Sequence, residues 1–222
     1  MNAPPETHRR VSYEQMRGFL ERCGTAPGLE PDRARLLAEL LAGNDLRGNF
    51  SHGSVQMATY SRLMTEGTLN PRPRVEVVKQ TRSSLLVDGD GGLGYFPSYD
   101  GTLRLIEKVA EAEIAVLVTR NHGHFGAAGL YARLAAEAGF CAYVTSGHQL
   151  SLDSESPHYA AAGGSPMAFG TPADPPVILD FGAMHDLYAG STRSNSRAGP
   201  RRRELANGAP TGFRSRTTTV IC

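Results

Sequence analysis

An α+β fold is what the sequence predicts: a helical N-terminal unit, then a sheet interleaved with helices, then a disordered tail. Three observations predict it. Residues 12–66 place apolar side chains at helical spacing between recognisable start and stop residues. Residues 74–182 alternate short runs rich in β-branched side chains with helical stretches, the pattern of a sheet domain. Residues 191–222 have no period and are crowded with Ser, Thr, Arg, Gly and Pro.

The helical unit, 1–70, reads as three helices. SYEQMRGFLERCG (12–24) has Ser12 as its N-cap and Gly24 as its stop, and Pro31 opens a second helix through LLAELLAGNDL. A third runs from Val55 to Glu66 and ends at Gly67, after the corner GNFSHGS, and NPRPR marks the boundary. The sheet domain, 71–190, begins with the strands RVEVVKQ (74–80) and SSLLVDGD (83–90). A helix over 102–113, the strand IAVLVTR (114–120), a helix over 127–139 and the strand FCAYVTS (140–146) follow. A long loop then leads to MAFGTP (167–172) and PPVILDFG (175–182). In the tail, 191–222, too few large aliphatic side chains are present to offset the entropy of ordering the backbone.

Composition excludes several classes of function. With 40% hydrophobic and 20% charged residues, the 222-residue chain is ordinary globular material that can bury a sizeable core. Its longest apolar runs, such as IAVLV, are too short to span a bilayer. MNAPPETHRR has no apolar signal-peptide core, so a cytoplasmic protein is expected, with no membrane partner. Cys23, Cys141 and Cys222 have no CxxC spacing, which argues against a disulfide framework or zinc ribbon. The net charge of +1 conceals a body of −5 and a tail of +6 carried by seven arginines against Glu204. A mildly acidic body gives no reason to expect nucleic acid, although the tail alone could be read as an RNA-binding arm.

Three features carry chemistry. Gly89, Gly91 and Gly94 in VDGDGGLGY satisfy G-x-G-x-x-G between a strand and a helix, yet the next strand ends without the acidic residue a ribose requires. A tight strand-to-helix turn is the plainer reading. His122 and His124 in RNHGHFG, with His52, are spaced as metal ligands of a hydrolase, but no carboxylate cluster accompanies them. The third reading needs no metal: one histidine exchanges a proton with a substrate oxygen while a second polar donor steadies the charge that develops there. His52 and His124 lie on different units and can converge in a cleft between them.

The ordered motifs DLRGNFSHGS, TEGTLNPRP, VDGDGGLGY, TRNHGHFGAAGLYA and GGSPMAFGTP…PPVILDFGA resemble those of the malate/L-lactate dehydrogenase family, over about Tyr13 to Gly182. The family includes sulfolactate, ureidoglycolate and diketogulonate oxidoreductases. The resemblance implies a mixed or antiparallel sheet forming a non-classical NAD(P)-binding fold, a cofactor that is NAD or NADP, a 2-hydroxy or 2-oxo acid substrate, and a homodimer. It makes His52, in Ser-His-Gly, the catalytic acid/base, and His124, in His-Phe-Gly, the second active-site histidine. Pro176, Val177, Ile178, Leu179, Asp180, Phe181 and Gly182 match a segment that lines the nicotinamide. Gly164, Ser165 and Pro166 stand where the family has a Gly-Thr-Asn-Pro turn.

Two departures stand out. Where the family commonly has an arginine for the substrate carboxylate, four residues after the motif histidine, this chain has Gln56. An amide offers neutral hydrogen bonds in place of a charged bidentate grip, so Arg47 becomes a second candidate for that task. The resemblance also stops near Tyr188, as in a truncated or frameshifted reading, so an inactive remnant that keeps its dimerisation surface is the alternative to a working dehydrogenase.

Overall fold

The computed structural model describes residues 7–148, 166–182 and 216–222. Helix α1 (Tyr13–Thr25) starts at a capping box: Ser12 Oγ accepts from the Gln15 amide at 3.2 Å and Gln15 Oε1 accepts from the Ser12 amide at 3.0 Å. Helix α2 (Pro31–Leu46) has proline in its first turn, where a missing N–H costs nothing. The two pack through Leu20, Leu37 and Leu41, with Gly24 admitting Leu29 and Ala34 to within contact distance. A short 3-10 turn, Phe50–His52, leads to α3 (Gln56–Thr65), whose buried face is Met57, Tyr60 and Met64.

The strands are β1 (Glu76–Gln80), β2 (Ser84–Asp88), β3 (Val116–His122), β4 (Ala142–His148), β5 (Pro166–Thr171), β6 (Val177–Gly182) and β7 (Arg216–Ile221). They form one mixed sheet in the order β1-β2-β3-β7-β4-β5-β6. Only β2 and β3 are parallel among these pairs, joined by the crossover helix α4 (Tyr95–Ala112). With α5 (Gly129–Glu137), α4 lies on one face of the sheet; a Cβ on Gly101 of α4 would fall 2.7 Å from Leu117 of β3. Buried apolar residues of the helices and the sheet, from Leu20 and Tyr60 to Leu117 and Val144, make a continuous cluster. On β5 and β6, Phe169, Val177 and Leu179 remain exposed around an open apolar groove of about 470 Å³, and Phe181 is exposed as well. Among the described residues, no helix is long and apolar enough to cross a membrane.

The expected disordered tail is corrected in its last part. Residues 216–221 form β7 between β3 and β4, with Val220 fully buried opposite Leu117 and Val144. Averaged over 32 residues, the tail's composition hides the run TTTVI, whose β-branched side chains favour a pleated strand once ladders are offered on both sides. Residues 191–215 lie outside the described residues. Helix α4 also starts at Tyr95, about two turns earlier than its apolar period suggests. Pro97 stands in the first turn of the helix, where proline is tolerated.

Candidate active site

The Ser-His-Gly corner is held by the end of α2. Asn44, 3% exposed, donates from Nδ2 to the His52 carbonyl at 2.9 Å, and Asp45 Oδ2 accepts from the Ser54 amide at 3.1 Å. Glycine at 53 is a steric necessity, because a Cβ there would sit 1.7 Å from Asp45 Oδ1. Ser51 Oγ donates to Asn49 Oδ1 at 3.3 Å and lies 2.9 Å from His52 Nδ1. A serine hydroxyl has one hydrogen, so Ser51 Oγ either donates to Asn49 and accepts from Nδ1–H of His52, or donates to Nδ1.

His124 follows β3 on a loop fastened to the glycine turn. The amides of Gly89, Gly91 and Gly94 donate to the carbonyls of Arg120, Asn121 and His124 at 2.8–3.0 Å, and Gly123 donates back to Gly92. The amides that a G-x-G-x-x-G loop would turn toward a phosphate are spent here on the loop bearing His124. His122 is fully buried, with Nδ1 2.8 Å from the Gly123 carbonyl and Nε2 2.8 Å from Thr119 Oγ1. It packs against the glycine turn, where a Cβ on Gly94 would be 2.5 Å from its Nδ1. Both ring nitrogens are engaged in the core, away from the shared site a metal reading of His52, His122 and His124 requires. Among the described residues, no group of three or more His, Cys, Asp or Glu side chains is placed to hold a metal.

His52 and His124 do come together: their ring centroids are 5.5 Å apart with planes tilted by 33°. Behind His124, Nδ1 is 2.5 Å from the hydroxyl of Tyr60, which is 3.3 Å from the hydroxyl of Tyr95. Both tyrosines are buried, and burial pushes the Tyr95 phenol far above its ordinary range, so it stays neutral. Gly126 of the His-Phe-Gly motif, at φ +83°, leaves room for Tyr95, whose hydroxyl would be 2.5 Å from a Cβ there.

The β6 segment divides between two faces. Ile178 and Asp180 turn toward α5, where the Gly129 amide donates to Asp180 Oδ2 at 2.9 Å. Desolvation raises the Asp180 carboxyl above the usual aspartate range; the Gly129 hydrogen bond and the nearby charge of His52 pull it back part of the way. Val177, Leu179 and Phe181 alternate to the side away from α5, and all three are exposed, as Asp180 is; Pro176 and Pro166 lie at the strand starts and Gly182 at the end of β6. Gly164 and Ser165 lie outside the described residues. Gln56, in the first turn of α3, donates from Nε2 to the Ser51 carbonyl at 2.7 Å and so sits against the His52 corner. Arg47 runs back along α2 to Gly43, and its guanidinium is held below its ordinary range by desolvation and by Arg133.

Residues 11–201 match the profile of the malate/L-lactate dehydrogenases. The chain belongs to that family. It is 32% identical to a malate dehydrogenase of Pyrococcus horikoshii over 184 residues, covering 79% of this chain and 49% of that protein. It is 30% identical to the L-sulfolactate dehydrogenase of Methanocaldococcus jannaschii over 131 residues, 59% of this chain and 36% of that one. The chain thus spans about half the length, or less, of these curated relatives. Among solved structures, the P. horikoshii malate dehydrogenase superposes with a TM-score of 0.74 at 23% identity, covering 98% of this chain and 76% of that one. An Escherichia coli chain described as a putative malate/lactate dehydrogenase gives a TM-score of 0.75 at 19% identity, covering 96% and 76%. At those identities the structures establish the family's fold, here the mixed sheet with helices on one face.

Asn44, Asp45, Tyr60 and Tyr95 are the site residues that sequence reasoning misses. Tyr60 and Tyr95 fall among core positions, and only their hydroxyls, meeting end to end across two helices, set them apart. The glycines are the readable trace: Gly53 and Gly126 stand in the motifs because Asp45 and Tyr95 occupy the space of their side chains.

Proposed function

We propose that this member of the malate/L-lactate dehydrogenase family is an NAD(P)-dependent oxidoreductase that moves a hydride between a nicotinamide and C2 of a 2-hydroxy acid or its 2-oxo acid. The observation that carries the reading is the facing pair His52 and His124, brought from two separate segments with rings 5.5 Å apart. In oxidation, His52 Nε2 takes the proton of the substrate hydroxyl; in reduction the imidazolium returns it. His124 orients the same oxygen and polarises it. Asp180 stands close enough for attraction to His52, which favours the imidazolium form.

A bound nicotinamide supplies the hydride acceptor or donor. Ile178 and Asp180, which meet α5 at Gly129, would hold it, Asp180 beside the charge of His52. Val177, Leu179 and Phe181 face the opposite side, so their contribution is to the strand rather than to the ring contact. For the substrate carboxylate, Gln56 is better placed than Arg47, because its amide is already bonded to the residue preceding His52. The chain is expected to work in the cytoplasm as a homodimer, and the exposed apolar groove is surface that an assembly can cover.

The test is nicotinamide absorbance with NADH and NADPH over a panel of 2-oxo acids, using the purified chain and its His52→Asn variant. Turnover that falls at least about 100-fold in the variant supports the assignment, this being the lower end of what a positioned acid/base contributes. Cofactor binding without turnover by the unmodified chain supports the inactive alternative.

A further inference from the structure

We propose that Arg33 and Asp100 form a clamp that sets the spacing of His52 and His124, by fastening the helix that holds one histidine to the helix that holds the other. The inference deepens the roles given to the two histidines above and rests on that reading. Arg33 and Asp100 are positioning residues: they act through α2 and α4.

Each histidine is tied to a helix through its own backbone. At the end of α2, Asn44 Nδ2 donates to the carbonyl of His52 at 2.9 Å, and Asp45 accepts from the Ser54 amide. At the start of α4, the amide of its N-cap, Gly94, donates to the carbonyl of His124 at 3.0 Å. The ring of Tyr95, the first residue of α4, stands edge-on to the ring of His124 with centroids 6.5 Å apart. The spacing of the two histidines therefore depends on what fixes α2 against α4.

Arg33, in the first turn of α2, does this. Its Nη1 donates to Asp100 Oδ1 at 3.1 Å and its Nη2 to Asp100 Oδ2 at 2.7 Å, a planar fork on a carboxylate. Its guanidinium carbon lies 5.2 Å from the ring centroid of Phe96, which is fully buried. Phe96 and Asp100 are four residues apart on α4 and share a face, so one guanidinium meets the ring and the carboxylate together. The two side chains are 29% and 32% exposed, which shields the pair from much of the screening an open surface bridge suffers. Among the described residues, this is the one arginine–carboxylate pair that joins α1, α2 or α3 to a later helix or strand. Local helix preference does not account for Arg33, because the positive end of the macrodipole disfavours a cation in the first turn. Its partner is on another helix.

Helix α2 works as a stiff rod of 16 residues, with Arg33 in its first turn and Asn44 in its last. At the usual rise per residue the two are roughly 16 Å apart along the axis. A tilt at the clamped end is thus carried to the His52 corner, while His124 stays with α4. Misplacing reacting groups by about 1 Å can cost about 100-fold in rate, so a modest tilt is enough to matter.

The experiment is NOE spectroscopy of the full chain labelled with ¹³C-histidine, recorded without substrate or cofactor. With ring centroids 5.5 Å apart, ring protons of His52 and His124 are expected to give a cross-peak in the unmodified chain. The two rings are assigned by the signals lost in His52→Asn and His124→Asn. Arg33→Met keeps the stem and removes the fork. It is expected to weaken the cross-peak at least about twofold and to lower kcat about tenfold, with KM for the cofactor little changed. His122, fully buried in the core, keeps its signals where the fold is intact. Asp100→Asn gives the same changes by a second route if Arg33→Met does not fold. No cross-peak in the unmodified chain, or a cross-peak unchanged in the folded variants, overturns the proposal. The cross-peak needs no turnover. An inactive chain whose cross-peak depends on Arg33 counts against the dehydrogenase reading alone, and an active chain whose cross-peak and kcat ignore both substitutions counts against the clamp alone.

Discussion

Asp45 and Gly53 interlock at the Ser-His-Gly corner: the carboxylate fills the space where a side chain at residue 53 would begin, and its other oxygen accepts from the Ser54 amide. The glycine of the motif is thereby explained by an aspartate eight positions earlier. Gly53→Ala drives its methyl into that carboxylate and must either break the Ser54 bond or shift the 3-10 turn carrying His52. Urea denaturation of Gly53→Ala is expected to show a loss of about 1–3 kcal/mol, the usual cost of overpacking a well-filled site. Asp45→Ala in the same chain removes the clash, so the double variant loses less than the sum of the two single ones.

Gln56→Arg exchanges an amide for a guanidinium beside the corner. A charged hydrogen bond contributes about 1.5–3 kcal/mol against about 1 for a neutral one. The variant is therefore expected to lower KM for simple 2-oxo acids by about tenfold or less, with kcat little changed. Initial rates on pyruvate, oxaloacetate and 2-oxoglutarate check this, and an unchanged KM on all three places the carboxylate contact elsewhere.

Asp180 and His52 attract one another, and the attraction is mutual: it lowers a carboxyl that desolvation has raised, and it favours the charged imidazole. Asp180→Asn removes the negative charge, so the imidazolium loses its partner and ionises at lower pH. Reduction, which needs that imidazolium, is then expected to lose its rate at a lower pH than in the unmodified chain. The limb of kcat/KM against pH that falls on the alkaline side should move toward acid in the variant. A shift toward alkaline pH would contradict the assignment.

Val220 is the buried centre of β7, opposite Leu117 and Val144. Val220→Asp places a carboxylate in that core without a partner, which ranks among the most costly substitutions a sheet can receive. Loss of the cooperative thermal transition and rapid cleavage in limited proteolysis are expected. A variant as resistant as the parent would show that β7 is dispensable to the sheet.

Much of this architecture is legible in the sequence. The order of helices and strands up to Gly182 follows from period, caps and proline placement, with Ser12 as the N-cap of α1, although α4 begins well before its apolar period. The end of the chain is not, because TTTVI looks unremarkable inside an arginine-rich stretch until two strands with open ladders flank it. At the site, His52 and His124 announce themselves as motif residues, whereas Tyr60 and Tyr95 look like any aromatic on a buried helix face. Their hydroxyls acquire meaning only when α3 and α4 bring them to 3.3 Å. The glycine run 89–94 shows the converse: its spacing suggests a nucleotide, and its amides turn out to be bonded to the loop that presents His124.

The central claim is that hydride moves directly to the substrate carbon while His52 handles the proton. The most direct measurement incubates the purified chain with nicotinamide cofactor deuterated at C4 and a 2-oxo acid, then locates the deuterium by mass spectrometry and NMR. The account predicts a 2-hydroxy acid carrying deuterium at C2, formed at least about 100-fold more slowly by His52→Asn with cofactor affinity little changed. Deuterium appearing in solvent rather than at C2, or an equal rate of labelled product from the variant, would contradict it.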